Sequence, residues 1–175
     1  MQQVKHYRIV FLTGMPGSGK SYWSRQLAAH HGLAHTDLDK ELEQRTGLTP
    51  PVFFEQYGEA AFREEERMAL NALIARERQD IVVACGGGTP CFFDNMQRMK
   101  DNGVVVFVHP PRHVLIRHLE EEQHLRPLLR GGELEAVLDA LWERRAADYR
   151  QAHFQIEGRE LSLADFEPVM AAALL

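Results

Sequence analysis

The chain has only two cysteines, no run of eighteen apolar residues, and no excess of positive charge. Cys85 and Cys91 can form neither a disulfide framework nor a zinc quartet, so a reducing compartment is expected. Cys85 reads as a small buried hydrophobe and Cys91 as an incidental thiol. Without a long apolar run there is no candidate transmembrane helix. The N-terminus has no charged segment followed by an apolar stretch and a small-residue cleavage site. A soluble, cytoplasmic protein is expected, with no membrane partner. A net charge of −5 and a pI near 6.0 argue against a general nucleic-acid binder, which carries a basic excess. Internal repeats, low-complexity tracts and domain-splitting linkers are also missing. Nine histidines are present, but pairs such as His30-His31-His35 and His109-His113 have no accompanying glutamate in a zinc-like pattern. They read as surface or packing residues.

What remains is an ordinary globular composition over 175 residues, 45% apolar and 26% charged. That is one domain, burying roughly two-thirds of its unfolded surface. Continuous apolar runs at 8–12, 81–84 and 104–108 read as strands of a buried parallel sheet, with weaker strands at 34–36 and 153–156. Helical patterns lie between them near 19–31, 38–46, 59–79, 91–101, 111–121, 132–151 and 162–174. Strands separated by helices predict an α/β, three-layer αβα architecture with a parallel five-stranded sheet. Ligands of such folds bind beyond the carboxyl ends of the strands, where every motif below falls.

The stretch GMPGSGKS, Gly14 to Ser21, matches G-x-x-x-x-G-K-[ST] between a strand and a helix, a P-loop. Glycines Gly17 and Gly19, with Ser18 between them, let backbone N–H groups turn inward around phosphate oxygens at a helix N-terminus. Lys20 supplies a point charge to the β- and γ-phosphates of ATP, and the Ser21 hydroxyl is a suitable Mg²⁺ ligand. Tyr22 stands where many such loops carry a second hydroxyl residue, which leaves an α-phosphate contact to the backbone or removes it.

Two carboxylates, Asp37 and Asp39, follow the second strand. One could orient water on Mg²⁺ and the other accept a proton from an incoming hydroxyl. Alternatively, Asp is simply a common helix N-cap. Gly86-Gly87-Gly88 follows the third strand, more glycine than a βα turn needs. The segment 120–132 is polar, carries Pro127 and ends in paired glycines, the signature of a mobile loop.

The order and spacing of Asp37-x-Asp39, Glu43-x-Arg45-Thr46-Gly47, Phe54 and Gly58-Glu59-x-x-Phe62-Arg63-x-x-Glu66 resemble the shikimate kinase family. The likeness continues through Gly86-Gly87-Gly88, Arg126-Pro127-Leu128-Leu129 and Arg145-x-x-x-Tyr149, covering the chain from residue 9 to about 156. The resemblance implies a kinase using ATP and Mg²⁺ to phosphorylate a hydroxyl of shikimate in aromatic amino-acid biosynthesis. It implies a small acceptor-binding subdomain at about 37–66, packed by Phe53, Phe54, Tyr57 and Phe62, and a lid at about 120–132. By position, Asp37 lies near Mg²⁺ and Asp39 binds the acceptor hydroxyl as a base. Arg63 and Arg145 hold the shikimate carboxylate, Arg126 closes on ATP and stabilises charge, and Arg117 lies near the adenine. Paired arginines suit a carboxylated polyol, because planar guanidinium forks grip carboxylates better than lysine does. The glycine triplet then walls the acceptor site where side chains would block the substrate ring. Two departures stand out: Pro50-Pro51 before the Phe54 region, and a poorly matched adenine segment where Arg159 is the nearest candidate. Nothing in the sequence requires a dimer, so a monomer is expected. The alternatives are a kinase for another carboxylated polyol such as gluconate, and a catalytically silent nucleotide-binding relative.

Overall fold

In a computed structural model describing residues 8–76, 79–122, 134–158 and 160–174, the five predicted strands form one sheet. Its strands are β1 (Ile9–Thr13), β2 (Ala34–Asp37), β3 (Ile81–Ala84), β4 (Val104–His109) and β5 (Phe154–Glu157). They are all parallel, in the order β2-β3-β1-β4-β5. Every residue of β1 is buried, as a central strand covered on both faces must be.

The period of two along β1 divides the core. Ile9 and Phe11 face one layer, with Leu70, Leu73 and Met99. Val10 and Leu12 face the other, with Leu27, Phe166 and Met170. Those partners come from α3 (Pro50–Arg76) and α4 (Asn95–Asn102) on one side, and from α1 (Lys20–His31) and α7 (Leu163–Leu174) on the other. A third cluster joins Met15 and Phe107 to α5 (Arg112–Glu122) and α6 (Leu134–Tyr149) through Leu119, Leu138 and Tyr149. Each Leu buried this way contributes about 1.5–3 kcal/mol. This is the α/β, three-layer, five-stranded parallel architecture expected.

Two helix boundaries differ from expectation. A helix predicted to begin at 59 starts at Pro50 and passes through Gly58, whose φ of 79° and ψ of 175° break the helical path. Pro50 and Pro51 sit in its first turn, where a missing N–H costs nothing. The helix predicted over 91–101 is a 3₁₀ turn at Thr89–Cys91 followed by α4. Pro90 permits the short turn, and Phe93 with φ 52° separates the two pieces. Among the described residues no helix is long and apolar enough to cross a membrane. The expected lid falls mainly on residues outside those described, and so does Arg126.

Two further expectations concern side chains. Tyr57 meets Phe53 in a tilted pair with ring centroids 4.7 Å apart but is exposed, so it packs less than Phe62 does. The histidine pair at the end of α1 is not without a glutamate: the fold brings Glu167 of α7 to both His30 and His31.

Candidate active site

The carboxyl ends of β1, β2 and β3 open onto a cavity of about 640 Å³. Gly17, Ser18, Gly19, Lys20, Ser21 and Tyr22 line it from the first loop. Asp37 and Asp39 line it from β2 and α2 (Leu38–Thr46), Gly86 and Gly87 from the second glycine loop, and Arg117 from α5.

The phosphate loop has the backbone its glycines permit. Gly19, the residue before α1, has φ 82°, a left-handed conformation that L side chains adopt at a cost. Lys20 is buried and donates from Nζ to the carbonyls of Gly14 (2.9 Å) and Met15 (2.8 Å) and to Ser18 Oγ (3.3 Å). Those contacts hold the ammonium inside the curl of the loop. From α5, His118 Nδ1 lies 2.8 Å from the Gly17 carbonyl; since a carbonyl only accepts, that nitrogen carries the proton.

Of the alternatives open in the sequence, the N-cap is realised at Asp37, which caps α2 with Oδ1 accepting from the Asp39 N–H at 3.0 Å. Its Oδ2 accepts from the Ser21 hydroxyl at 2.6 Å. Two hard oxygens this close, exposed beside Lys20, fit a magnesium ion, whose octahedral bonds of about 2.0–2.1 Å set neighbouring ligand oxygens about 2.9 Å apart. Asp39 is exposed in the first turn of α2, two residues along.

Behind the glycine loop lie the two arginines, both buried: Arg63 at 3% exposure and Arg145 at 5%. Arg63 Nη1 donates to Glu66 Oε2 at 2.9 Å, and its Nη2 and Nε reach Glu59 Oε1 at 3.2 and 3.4 Å. Its guanidinium also lies 4.4 Å from the Phe92 ring centroid. Glu66 in turn accepts from Thr89 Oγ1 at 2.5 Å, which ties α3 to the far end of the loop. The Tyr149 hydroxyl donates to the Gly87 carbonyl at 2.5 Å, and burial pushes that phenol's pKa up.

This packing gives the triplet a reason beyond room for a substrate ring. A Cβ on Gly88 would lie 2.5 Å from Arg63 Nη1, and one on Gly86 would fall on Glu66 Oε1. At Gly87 the nearest atoms are Pro16 Cδ at 3.3 Å and Arg145 Nη1 at 3.4 Å. The phosphate loop and the second glycine loop therefore touch, with both arginines pressed against the latter. Cys85 and Cys91 flank it with burial-raised pKa values, Cys91 pushed up to about 12. Neither is a thiolate at neutral pH.

The comparisons with known proteins follow the same outline. The family profile described as "Shikimate kinase" matches residues 16–172. The chain belongs to the shikimate kinase family. A shikimate kinase of Bacteroides fragilis is 38% identical over 148 residues, 83% of this chain and 82% of its own. One of Bacteroides thetaiotaomicron is 37% identical over 155 residues, 87% of each. Among solved structures, the B. thetaiotaomicron shikimate kinase crystal structure superposes with a TM-score of 0.85 at 32% identity, covering 96% of this chain and 99% of its own. The shikimate kinase of Acinetobacter baumannii, in complex with shikimate, gives 0.86 at 32% identity, covering 97% and 96%. Shikimate kinases draw the phosphoryl group from ATP with Mg²⁺.

Several residues of this shikimate kinase family site escaped the sequence reading. Glu66 and Tyr149 were visible as motif members without a role; their partners, Arg63, Thr89 and Gly87, become evident only in three dimensions. Trp23 lies under Gly19, where a Cβ would approach its Cδ1 to 3.3 Å. Gly158, Glu160 and Leu161 line the cavity after β5, the region where the adenine segment was poorly matched. Arg159, its sequence candidate, lies outside the described residues. No periodicity or spacing marks Trp23, Gly158, Glu160 or Leu161.

Proposed function

We propose that this chain transfers the γ-phosphoryl group of ATP to a hydroxyl of shikimate, giving shikimate 3-phosphate and ADP, in aromatic amino-acid biosynthesis. The observation that carries the reading is the meeting of two loops. The phosphate loop, Gly86-Gly87 and Asp39 line one cavity, with Arg63 and Arg145 packed against the glycine loop.

The phosphates of ATP lie against the backbone N–H groups of Gly17, Ser18 and Gly19, with Lys20 turned from the loop carbonyls to the transferring group. Ser21 and Asp37 would hold Mg²⁺, which when bound neutralises charge on the β- and γ-phosphates. Tyr22, exposed at the cavity wall, leaves the α-phosphate to backbone donors. Arg117 borders the nucleoside end. On the acceptor side Arg63 and Arg145 receive the shikimate carboxylate, and the backbone of Gly86, Gly87 and Gly88 approaches the ring. Arg63 meets Glu59 only at a half-exposed, long contact, which a bidentate substrate carboxylate can displace, while buried Glu66 keeps the guanidinium aimed. Asp39 takes the proton from the attacking hydroxyl as its oxygen bonds to phosphorus and the bond to the β-phosphate oxygen breaks.

Arg126, in the proposed lid at about 120–132, is assigned the stabilisation of charge on the transferring group. The acceptor-binding subdomain at about 37–66 comprises α2 and the first part of α3. A monomer in the cytoplasm, with reduced thiols and ATP as donor, completes the reading. Phosphorus NMR of a mixture with ATP, Mg²⁺ and shikimate tests the reading. A phosphate monoester resonance growing with ADP is expected; ADP accompanied only by inorganic phosphate would overturn it.

A further inference from the structure

The histidines that the phosphoryl-transfer reading leaves unused are not scattered evenly. His30 and His31 are the last two residues of α1, and Glu167 faces them from α7. His30 Nε2 and His31 Nε2 lie 3.3 and 3.4 Å from the same carboxylate oxygen, Glu167 Oε1. The two imidazole rings meet edge to face, with centroids 4.9 Å apart. All three ligand atoms fall within 4.8 Å of one another.

These distances discriminate between two kinds of contact. A charge-assisted hydrogen bond from imidazolium to carboxylate closes to about 2.7–2.9 Å, and neither contact does. A tetrahedral zinc ion with Zn–N and Zn–O bonds of about 2.0–2.1 Å spaces its ligand atoms about 3.3–3.4 Å apart; the two histidine–carboxylate distances have that spacing, and the third edge, between the histidines, lies within 4.8 Å. A second observation agrees. His31 Nε2 and Glu167 Oε1 are sealed from solvent, yet neither has a hydrogen-bond partner among the described residues. Buried polar atoms are costly in that condition, and a cation between them would satisfy both.

We propose that His30, His31 and Glu167 form a binding site for a divalent transition-metal ion of the zinc class. Two imidazoles and one carboxylate favour such an ion over Mg²⁺ or Ca²⁺, which take all-oxygen shells. The site is thus distinct in chemistry from the Ser21–Asp37 pair. It is also distant: at 1.5 Å per residue, His30 lies about 14 Å along α1 from Ser21. The His30 side chain is 51% exposed, which gives the ion an entry path and leaves its fourth position to water. The ion joins the end of the helix that follows the phosphate loop to the last helix of the described chain. Its role is structural, a staple between α1 and α7.

The test uses tag-free, chelator-treated full-length protein without nucleotide. Zn²⁺ is titrated by calorimetry and its effect on thermal unfolding recorded. One equivalent bound at micromolar zinc and a raised Tm are expected. His30→Gln and Glu167→Gln should each weaken binding at least about tenfold, the scale on which metal sites respond to altered ligation. Both should abolish the rise in Tm, while shikimate-dependent turnover with Mg²⁺ stays at the wild-type value. His30 is exposed, so its variant folds even if the Glu167 variant does not. Co²⁺ gives an independent reading, since the wild type should show visible absorption bands that His30→Gln loses. Absence of saturable zinc binding would overturn the proposal. So would equal binding by wild type and His30→Gln, which would place the ion elsewhere.

Discussion

Replacing Gly88 with Ala isolates the role of close packing behind the acceptor loop. The backbone there has φ −95° and ψ −12°, which alanine adopts freely, so strain in the main chain is not involved. The added Cβ would lie 2.5, 2.7 and 2.8 Å from Nη1, Cζ and Nη2 of Arg63. Carbon atoms pack at about 3.5 Å or more, so the guanidinium must retreat by about 0.8 Å. That retreat stretches the 2.9 Å bond to Glu66 and leaves less room around a buried ion pair. Overpacking of this kind costs about 1–3 kcal/mol, and a chain of this size loses about 2–4 °C per kcal/mol. The Tm should therefore fall by about 2–12 °C. Misplacement of a binding group by about 1 Å costs on the order of 100-fold; kcat/KM for shikimate should fall about 10- to 100-fold. The KM for ATP should stay within about twofold, because the three atoms nearest the new Cβ all belong to Arg63 and none to the phosphate loop. Gly87→Ala is the comparison: its Cβ meets Pro16 and Arg145 at 3.3 and 3.4 Å, contacts relieved by a few tenths of an ångström. It should raise the KM for shikimate with a smaller loss of Tm. Steady-state kinetics and thermal unfolding of the two variants decide the matter. A Gly88→Ala protein with wild-type KM for shikimate and wild-type Tm would refute the packing argument.

Other expectations rest on single residues. Asp39→Asn keeps the size of the side chain but removes the base, so kcat should fall by about 10²–10⁴; a loss below tenfold would reduce Asp39 to an orienting group. Glu59→Gln removes an exposed competitor for the Arg63 fork, so the KM for shikimate should drop by up to about fivefold, equivalent to about 1 kcal/mol. A rise in KM would show that Glu59 helps to hold the acceptor. Stability should depend on pH through His35 and His153, whose pKa values lie below 6.5, chiefly because burial disfavours the charged ring. The His153 Nδ1 also accepts from the Val105 N–H at 3.0 Å, which protonation would forbid. The unfolded chain then binds more protons, so this stabilisation is complete above about pH 6.5 and lost as pH falls through the folded values. The Tm should rise between pH 6 and 7.5, less steeply in His35→Gln, and a Tm that falls over that range would contradict the sign.

The parts of the molecule governed by local rules could be read from the sequence. Continuous apolar runs mark the three central strands, the alternation of strands and helices suggests β2 and β5, and Gly14 to Ser21 marks the phosphate loop and the start of α1. What the sequence hid depends on contacts between distant segments. The helix over Pro50–Tyr57 was missed because Gly58 reads as a stop, whereas here the chain kinks and continues as α3. The break between Cys91 and Asn95 was missed because Phe92-Phe93 carries no turn signal. Arg63 and Arg145 look like surface residues until the fold buries them against Gly86-Gly87-Gly88. The triplet itself was legible as a close approach, but the atoms approached are those of Arg63 and Glu66. His30-His31 showed no third ligand because Glu167 lies more than a hundred residues away, on a helix that only the sheet brings alongside α1.

The most direct test of the central claim is ADP release by the purified chain with ATP and Mg²⁺, offered shikimate, gluconate or no acceptor. Release that requires shikimate, with only background in the other two, is the result expected. Release with gluconate and none with shikimate would contradict the acceptor assignment, and silence with both would contradict the kinase itself.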